Sequence, residues 1–128
     1  MAGEINHGEM KKMIQSLDED WKKTLVEDLF NIWQDRAVIE TTTQTMLRFT
    51  PKFGGKWFAI LFPGKRGKLK LSISDFKEKI NIPSLHFTRA PGDQFEKSQY
   101  GSRELFIESE NQAEAVKKAF EEAFALKS

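Results

Sequence analysis

Basic residues are concentrated in one stretch of this 128-residue chain, where they could contact a polyanion. Residues 41–79 carry nine Lys or Arg against two Asp or Glu, a net charge of +7, whereas the whole chain carries +1. Lysine and arginine side chains bind phosphates, and aromatic rings beside them can stack on bases. Seven of these cations and two aromatic residues lie on or between predicted strands and form the candidate site: Arg48, Lys52, Lys56, Lys65, Arg66, Lys68, Lys70, Phe53 and Trp57.

This pattern predicts a non-catalytic binding module whose basic sheet face meets nucleic acid or another polyanion. Because the contacts would be largely electrostatic, we expect the affinity to fall with salt. Lysines along strands also prevent the strands of separate molecules from pairing. The same residues are therefore consistent with a purely solubilising role.

A second functional hypothesis rests on the apolar segment 57–62, Trp-Phe-Ala-Ile-Leu-Phe. A sheet covered on one face buries only alternate residues of a strand, whereas this segment is apolar on both faces. The uncovered half would form an apolar patch, which is typical of a protein contact. The alternative to polyanion binding is therefore a protein-interaction or homodimerising domain that uses this strand. For a third alternative, a small-ligand pocket between sheet and helices, the sequence offers no polar anchor.

Catalytic and metal-binding patterns are sparse. The chain has no Cys and two His, His7 and His86, so it lacks a thiolate nucleophile and the clustered ligands of a zinc site. One enzyme hypothesis remains, a metal-dependent nuclease in which Asp75 and Glu40 hold Mg²⁺ and Lys77 stabilises developing charge. Apart from that hypothesis, the sequence predicts no catalytic residue, no metal site and no cofactor.

Two segments have the periodicity of amphipathic helices, residues 18–33 and 110–126. In the first, Trp21, Leu25, Leu29 and Trp33 recur every four residues. Each helix is preceded by a Ser and, three residues later, a Glu or Gln, which is the spacing of a capping box. The pairs are Ser16 with Glu19 and Ser109 with Gln112.

Five segments have the composition of β-strands: residues 37–50, 57–62, 68–73, 85–89 and 104–108. Gly54 and Gly55 predict a tight turn between the first two. Short connections favour an antiparallel sheet. The predicted fold is α+β and two-layered, an antiparallel sheet of about five strands with an N-terminal and a C-terminal helix on one face.

Composition places the chain among globular proteins. Hydrophobic residues make up 39% and charged residues 30%, and no apolar run approaches the ~20 residues that span a bilayer. We therefore expect a single domain over residues 9–128, a disordered tail over residues 1–8 and no membrane partner. The absence of cysteine and of an apolar leader at the start predicts a cytoplasmic location.

Three segments, 45–49, 56–60 and 68–72, resemble the core hairpins of small uncharacterised bacterial domains. These include a domain of unknown function known as "predicted transport protein" and the YjbR-like proteins of frataxin-like fold. The final strand and helix, including Ala119-Phe120-Glu121-Glu122-Ala123-Phe124, are similar too. The resemblance covers about residues 24–126 and rests on patterning. It implies a two-layer α+β fold and no particular activity.

Overall fold

The computed structural model describes residues 3–4, 12, 14–41, 46–62, 69–75, 78–89 and 102–127. Two α-helices and seven strands account for most of them. In chain order they are β1 (Gly3–Glu4), α1 (Asp20–Trp33), β2 (Ala37–Thr41), β3 (Leu47–Pro51), β4 (Ala59–Phe62), β5 (Leu69–Ser74), β6 (Thr88–Arg89), β7 (Ser102–Ile107) and α2 (Ala113–Ala125).

The strands form one antiparallel sheet in the order β1-β2-β3-β4-β5-β7-β6, which confirms the predicted α+β class. The sheet has more strands than expected for two reasons. Residues 37–50 form two paired strands rather than one, with Ile39 opposite Phe49. Gly3 and Glu4, inside the predicted tail, pair with β2, whose outer edge offers backbone hydrogen-bonding groups. The predicted strand 85–89 is reduced to Thr88–Arg89.

Helix α1 forms because its apolar residues recur on one face. Leu25, Val26, Leu29, Phe30 and Trp33 are buried, as their spacing predicts. The predicted start was wrong by two residues. The predicted capping box, Ser16 with Glu19, was also wrong. The helix begins at Asp20 after an extended Glu19, and no side chain caps it by a hydrogen bond.

Helix α2 begins as predicted from its capping box. Gln112 Oε1 accepts hydrogen bonds from the backbone N–H groups of Glu108 and Ser109, at 2.7 and 3.2 Å. One 3-10 turn, Glu110–Gln112, leads into the α-helix. The residues that α2 buries are spaced three and four apart, as expected of an amphipathic helix: Val116, Ala119, Phe120 and Ala123.

Both helices lie on the same face of the sheet and enclose an aromatic core. Trp33 of α1 and Phe120 of α2 both contact Phe58, with ring centroids 5.0 and 6.2 Å away. Phe49 of β3 meets Phe120 edge to face at 5.0 Å. All buried hydrophobic residues of the described chain belong to one cluster. The two-layer arrangement is therefore confirmed.

Strand β4 shows how the apolar segment 57–62 is divided. Ala59 pairs with Phe49, and the N–H of Phe58 also bonds to the Phe49 carbonyl at 2.9 Å. Two residues thus oppose one, as in a β-bulge, which turns Phe58 and Ala59 toward the same side. Phe58, Ala59 and Leu61 are fully buried under the helices. Ile60 and Phe62 alternate with them, are half-buried and lie on the opposite face.

Among the helices that the structure describes, none has the length and apolar character needed to cross a membrane.

Candidate nucleic-acid interface

The sheet face opposite the two helices, here called the open face, carries the central residues of the candidate site. Cross-strand partners share a face, so the register places its residues in two rows. Glu40, Arg48, Ile60, Ser72 and Glu104 form one row, from β2 to β7. Phe62, Lys70 and Phe106 form the neighbouring row. The two predicted cations Arg48 and Lys70 therefore lie on one face, on either side of β4.

Each of these two cations has an acidic neighbour. Arg48 lies 3.8 Å from Glu40, and Lys70 lies 3.6 Å from Glu104. The Lys70 ammonium is also 4.5 Å from the centre of the Phe62 ring. All four charged side chains keep part of their surface in solvent, between 18 and 29%. Ion pairs with this much solvent contact contribute ~0–1 kcal/mol, so an incoming phosphate can replace the carboxylate.

Two further predicted cations, Lys52 and Lys56, lie in the turn between β3 and β4 and are exposed. The turn is closed by a hydrogen bond of 3.1 Å from the Gly54 N–H to the Pro51 carbonyl. Gly54 and Gly55 have φ of 108° and 94°, a conformation that side chains with a Cβ rarely adopt, and this confirms the predicted turn. Lys52 and Lys56 thus lie beyond the end of the open face rather than on it.

The remaining predicted cations, Lys65, Arg66 and Lys68, lie outside the described residues, between the end of β4 and the start of β5.

Of the two predicted stacking residues, Phe53 does not lie on the open face. Phe53 is 59% exposed, but its ring contacts Phe124 of α2 at 5.5 Å, which places it on the helix side. Trp57 is half-buried just before β4. The rings that the register does place beside the cations are Phe62 and Phe106. Alternation from Ile60 could have indicated Phe62, but the continuous apolar run around it obscured which residues face outward.

The two described residues of the nuclease hypothesis, Asp75 and Glu40, are not brought together. Asp75, whose side chain is 1% exposed, accepts hydrogen bonds from the backbone N–H groups of Lys79 and Ile80 and from Arg103, each 2.8 Å long. Glu40 lies three strands away on β2, a separation of at least about 14 Å at the usual strand spacing. Lys77 lies outside the described residues. The Asp75 carboxylate therefore links the segment after β5 to Arg103 of β7.

Within the described ranges, no three His, Asp or Glu side chains are grouped so that they could hold a metal ion. No protein-family model, no curated protein and no solved structure matches this chain. The resemblance to small bacterial domains therefore stays a prediction from the sequence.

Proposed function

We propose that this protein is a non-catalytic module that binds single-stranded nucleic acid on the central strip of the open face, defined as Arg48, Ile60, Phe62 and Lys70. The observation that carries the proposal is the position of Arg48 and Lys70, which lie on one helix-free face on either side of an apolar strand. The cations would contact phosphates, while bases would pack on Phe62 and Ile60. A single strand suits this arrangement because its bases are free to stack on a sheet, whereas a duplex hides them.

The free energies of the expected contacts favour a modest affinity. Giving up the exposed pairs with Glu40 and Glu104 costs ~0–1 kcal/mol each. Stacking of one base contributes about 1–3 kcal/mol, and release of counterions from the phosphates adds a term that falls with salt. Since Arg48 and Lys70 are the only polar side chains among the four residues of the strip, we expect little sequence preference there.

The first test is fluorescence anisotropy of a labelled mixed-sequence single strand over a series of salt concentrations. We expect Arg48→Gln with Lys70→Gln to weaken binding and to lower the slope of log affinity against log salt by about 1.4, since each lost phosphate contact removes ~0.7. The matched control is Lys23→Gln with Lys118→Gln, which removes the same charge from the helices. The proposal fails if both double variants behave alike, or if the wild-type protein does not bind at low salt.

The alternative, contact with a second protein or a second copy of this chain, has narrower support. Within β4, only Ile60 and Phe62 lie on the open face, and β4 is a central strand with no free edge. Light scattering separates the two proposals. A mass that is independent of concentration favours nucleic-acid binding, whereas a dimer that Phe62→Ser dissociates favours self-association.

A further inference from the structure

A cavity of about 610 Å³ opens at the β6 edge of the sheet. It exists because β7 pairs with β5 along six residues but with β6 at only two, Glu104 opposite Thr88 and Arg103 opposite Arg89. The residues before Thr88 do not pair with β7, and His86 among them lines the cavity. The volume falls within the range of small-ligand sites, ~300–1,000 Å³.

One side of this cavity is a row of carboxylate, ring and carboxylate. Glu104, Phe106 and Glu108 all line it. Alternate residues of a strand share a face and lie about 7 Å apart, so the Phe106 ring is flanked by a carboxylate on each side. The ring is 48% exposed. The backbone of Glu108 is fixed by its 2.7 Å hydrogen bond to Gln112, which anchors the end of the row to the start of α2.

The same combination of ring and carboxylate holds cations elsewhere in this protein. The guanidinium of Arg36 lies 4.1 Å from the centre of the Trp33 ring and donates two hydrogen bonds to Glu121, at 2.8 and 2.9 Å. The guanidinium of Arg103 lies over Phe87 at 5.4 Å while bonding to Asp75. Such sites combine cation–π attraction with charge-assisted hydrogen bonds.

The cavity combines an aromatic ring with two carboxylates, and these carboxylates differ in their ion pairs. Of its two carboxylates, Glu104 pairs with Lys70 at 3.6 Å on the open face. The Glu108 carboxylate forms no ion pair with any residue in the described part of the chain. The lining residues include no Lys or Arg. An incoming cation would therefore neutralise the Glu108 carboxylate without displacing any described Lys or Arg side chain from it.

We propose that this cavity binds a guanidinium group, which lies on the Phe106 ring and donates two hydrogen bonds to the Glu108 carboxylate. A guanidinium fits better than an ammonium because it is planar, stacks on rings and matches a carboxylate with two parallel N–H groups. Its source is either a small guanidine or an arginine side chain of a partner peptide. The site adjoins the central strip, since Phe106 lies opposite Lys70, but it uses none of the four residues of that strip. Its test therefore does not depend on whether the protein binds nucleic acid.

The test is isothermal titration of the full chain with three probes: methylguanidine, arginine blocked at both ends, and lysine blocked in the same way. Blocked arginine should bind, and blocked lysine should bind at least about tenfold more weakly, since it loses the bidentate contact. If methylguanidine binds as tightly as blocked arginine, the source is a small guanidine. If blocked arginine is clearly tighter, the peptide backbone takes part and the source is a partner peptide.

Matched variants localise the binding. Glu108→Gln should weaken blocked arginine about tenfold or more by removing the charge, whereas Glu110→Gln, an exposed carboxylate two residues away that does not line the cavity, should change it less than twofold. Both substitutions are on the surface, and circular dichroism checks that each variant is folded. Equal affinity for arginine and lysine probes, equal loss in the two variants, or no binding at millimolar probe overturns the proposal.

Discussion

Asp75 shows how a single buried charge can link separate segments of a chain. Its side chain is 1% exposed, and its partner Arg103 also donates a hydrogen bond of 2.9 Å to the Ile80 carbonyl. This group of contacts ties the irregular segment after β5 to strand β7. A buried carboxylate is tolerated in such a place because every bond it loses to water is replaced.

We expect Arg103→Met to destabilise the protein by about 3–5 kcal/mol, because it leaves the Asp75 carboxylate buried without its cation. Arg89→Met is the matched control. Arg89 pairs with Glu78 at 2.6 Å, but its side chain is 61% exposed, so its loss should cost ~0–1 kcal/mol. Urea unfolding of the two variants gives both values. Equal losses in the two variants would mean that the pair of Arg103 with Asp75 stabilises the protein no more than a surface ion pair does.

At the scale of elements, β4 and the residue before it contribute side chains both to the aromatic core and to the open face. The bulge turns Phe58 into the aromatic core, where it contacts Trp33 and Phe120. Phe62, four residues later, lies on the open face under Lys70. The same residue type therefore has different roles at the two ends of a short strand.

Phe58→Ala should lower the free energy of unfolding by about 3–5 kcal/mol, since it leaves a cavity in the core. Phe62→Ala should lower it by roughly 1 kcal/mol or less, because half-buried rings lose less contact. Thermal or urea unfolding measures both. A comparable loss at the two positions would mean that the open face is packed as tightly as the core.

Local patterning predicted most elements, because helix periodicity and turn glycines are properties of neighbouring residues. The four-residue spacing of Leu25 and Leu29 within one apolar stripe, and the turn at Gly54, can be recognised without knowing which distant residues they contact. The division of residues 37–50 into two strands was missed, because the sequence Thr-Thr-Thr-Gln-Thr has no Gly or Pro to mark a break. The cavity and the pairing of Arg48 with Glu40 depend on strand register, which the sequence does not state.

For the whole molecule, the pH dependence of stability follows from the charged groups whose pKa values folding shifts. Lys117 of α2 bonds to Asp28 of α1 at 3.2 Å, which raises the pKa of the lysine above its ordinary value of 10.5. Lys22, 7% exposed, has its pKa raised mainly by a hydrogen bond to Asp18. The same contact lowers the pKa of Asp18 below its ordinary value of 3.8. A raised lysine pKa means that folding favours the protonated form. The stabilisation is therefore complete below pH 10.5 and lost above the raised value, and that of Asp18 is lost only as pH falls below 3.8.

We therefore expect the melting temperature to fall at alkaline pH, and to fall less in Lys117→Met than in wild type. Lys118→Met is the control, because Lys118 is exposed on the same helix. Melting curves between pH 7 and about 11.5 test this. A parallel decline in all three proteins would show that the bridge between the helices does not contribute.

Helix α2 follows all seven described strands in the chain, yet its Phe120 packs against Phe49 of β3 and Phe58 beside β4. During synthesis, the earlier strands and α1 leave the ribosome while that wall is still missing. At that stage Phe49 and Phe58 have only part of their final cover, and a partly covered apolar face attracts chaperones and other nascent chains. The aromatic core is thus incomplete until α2 emerges and Phe120 covers Phe49 and Phe58.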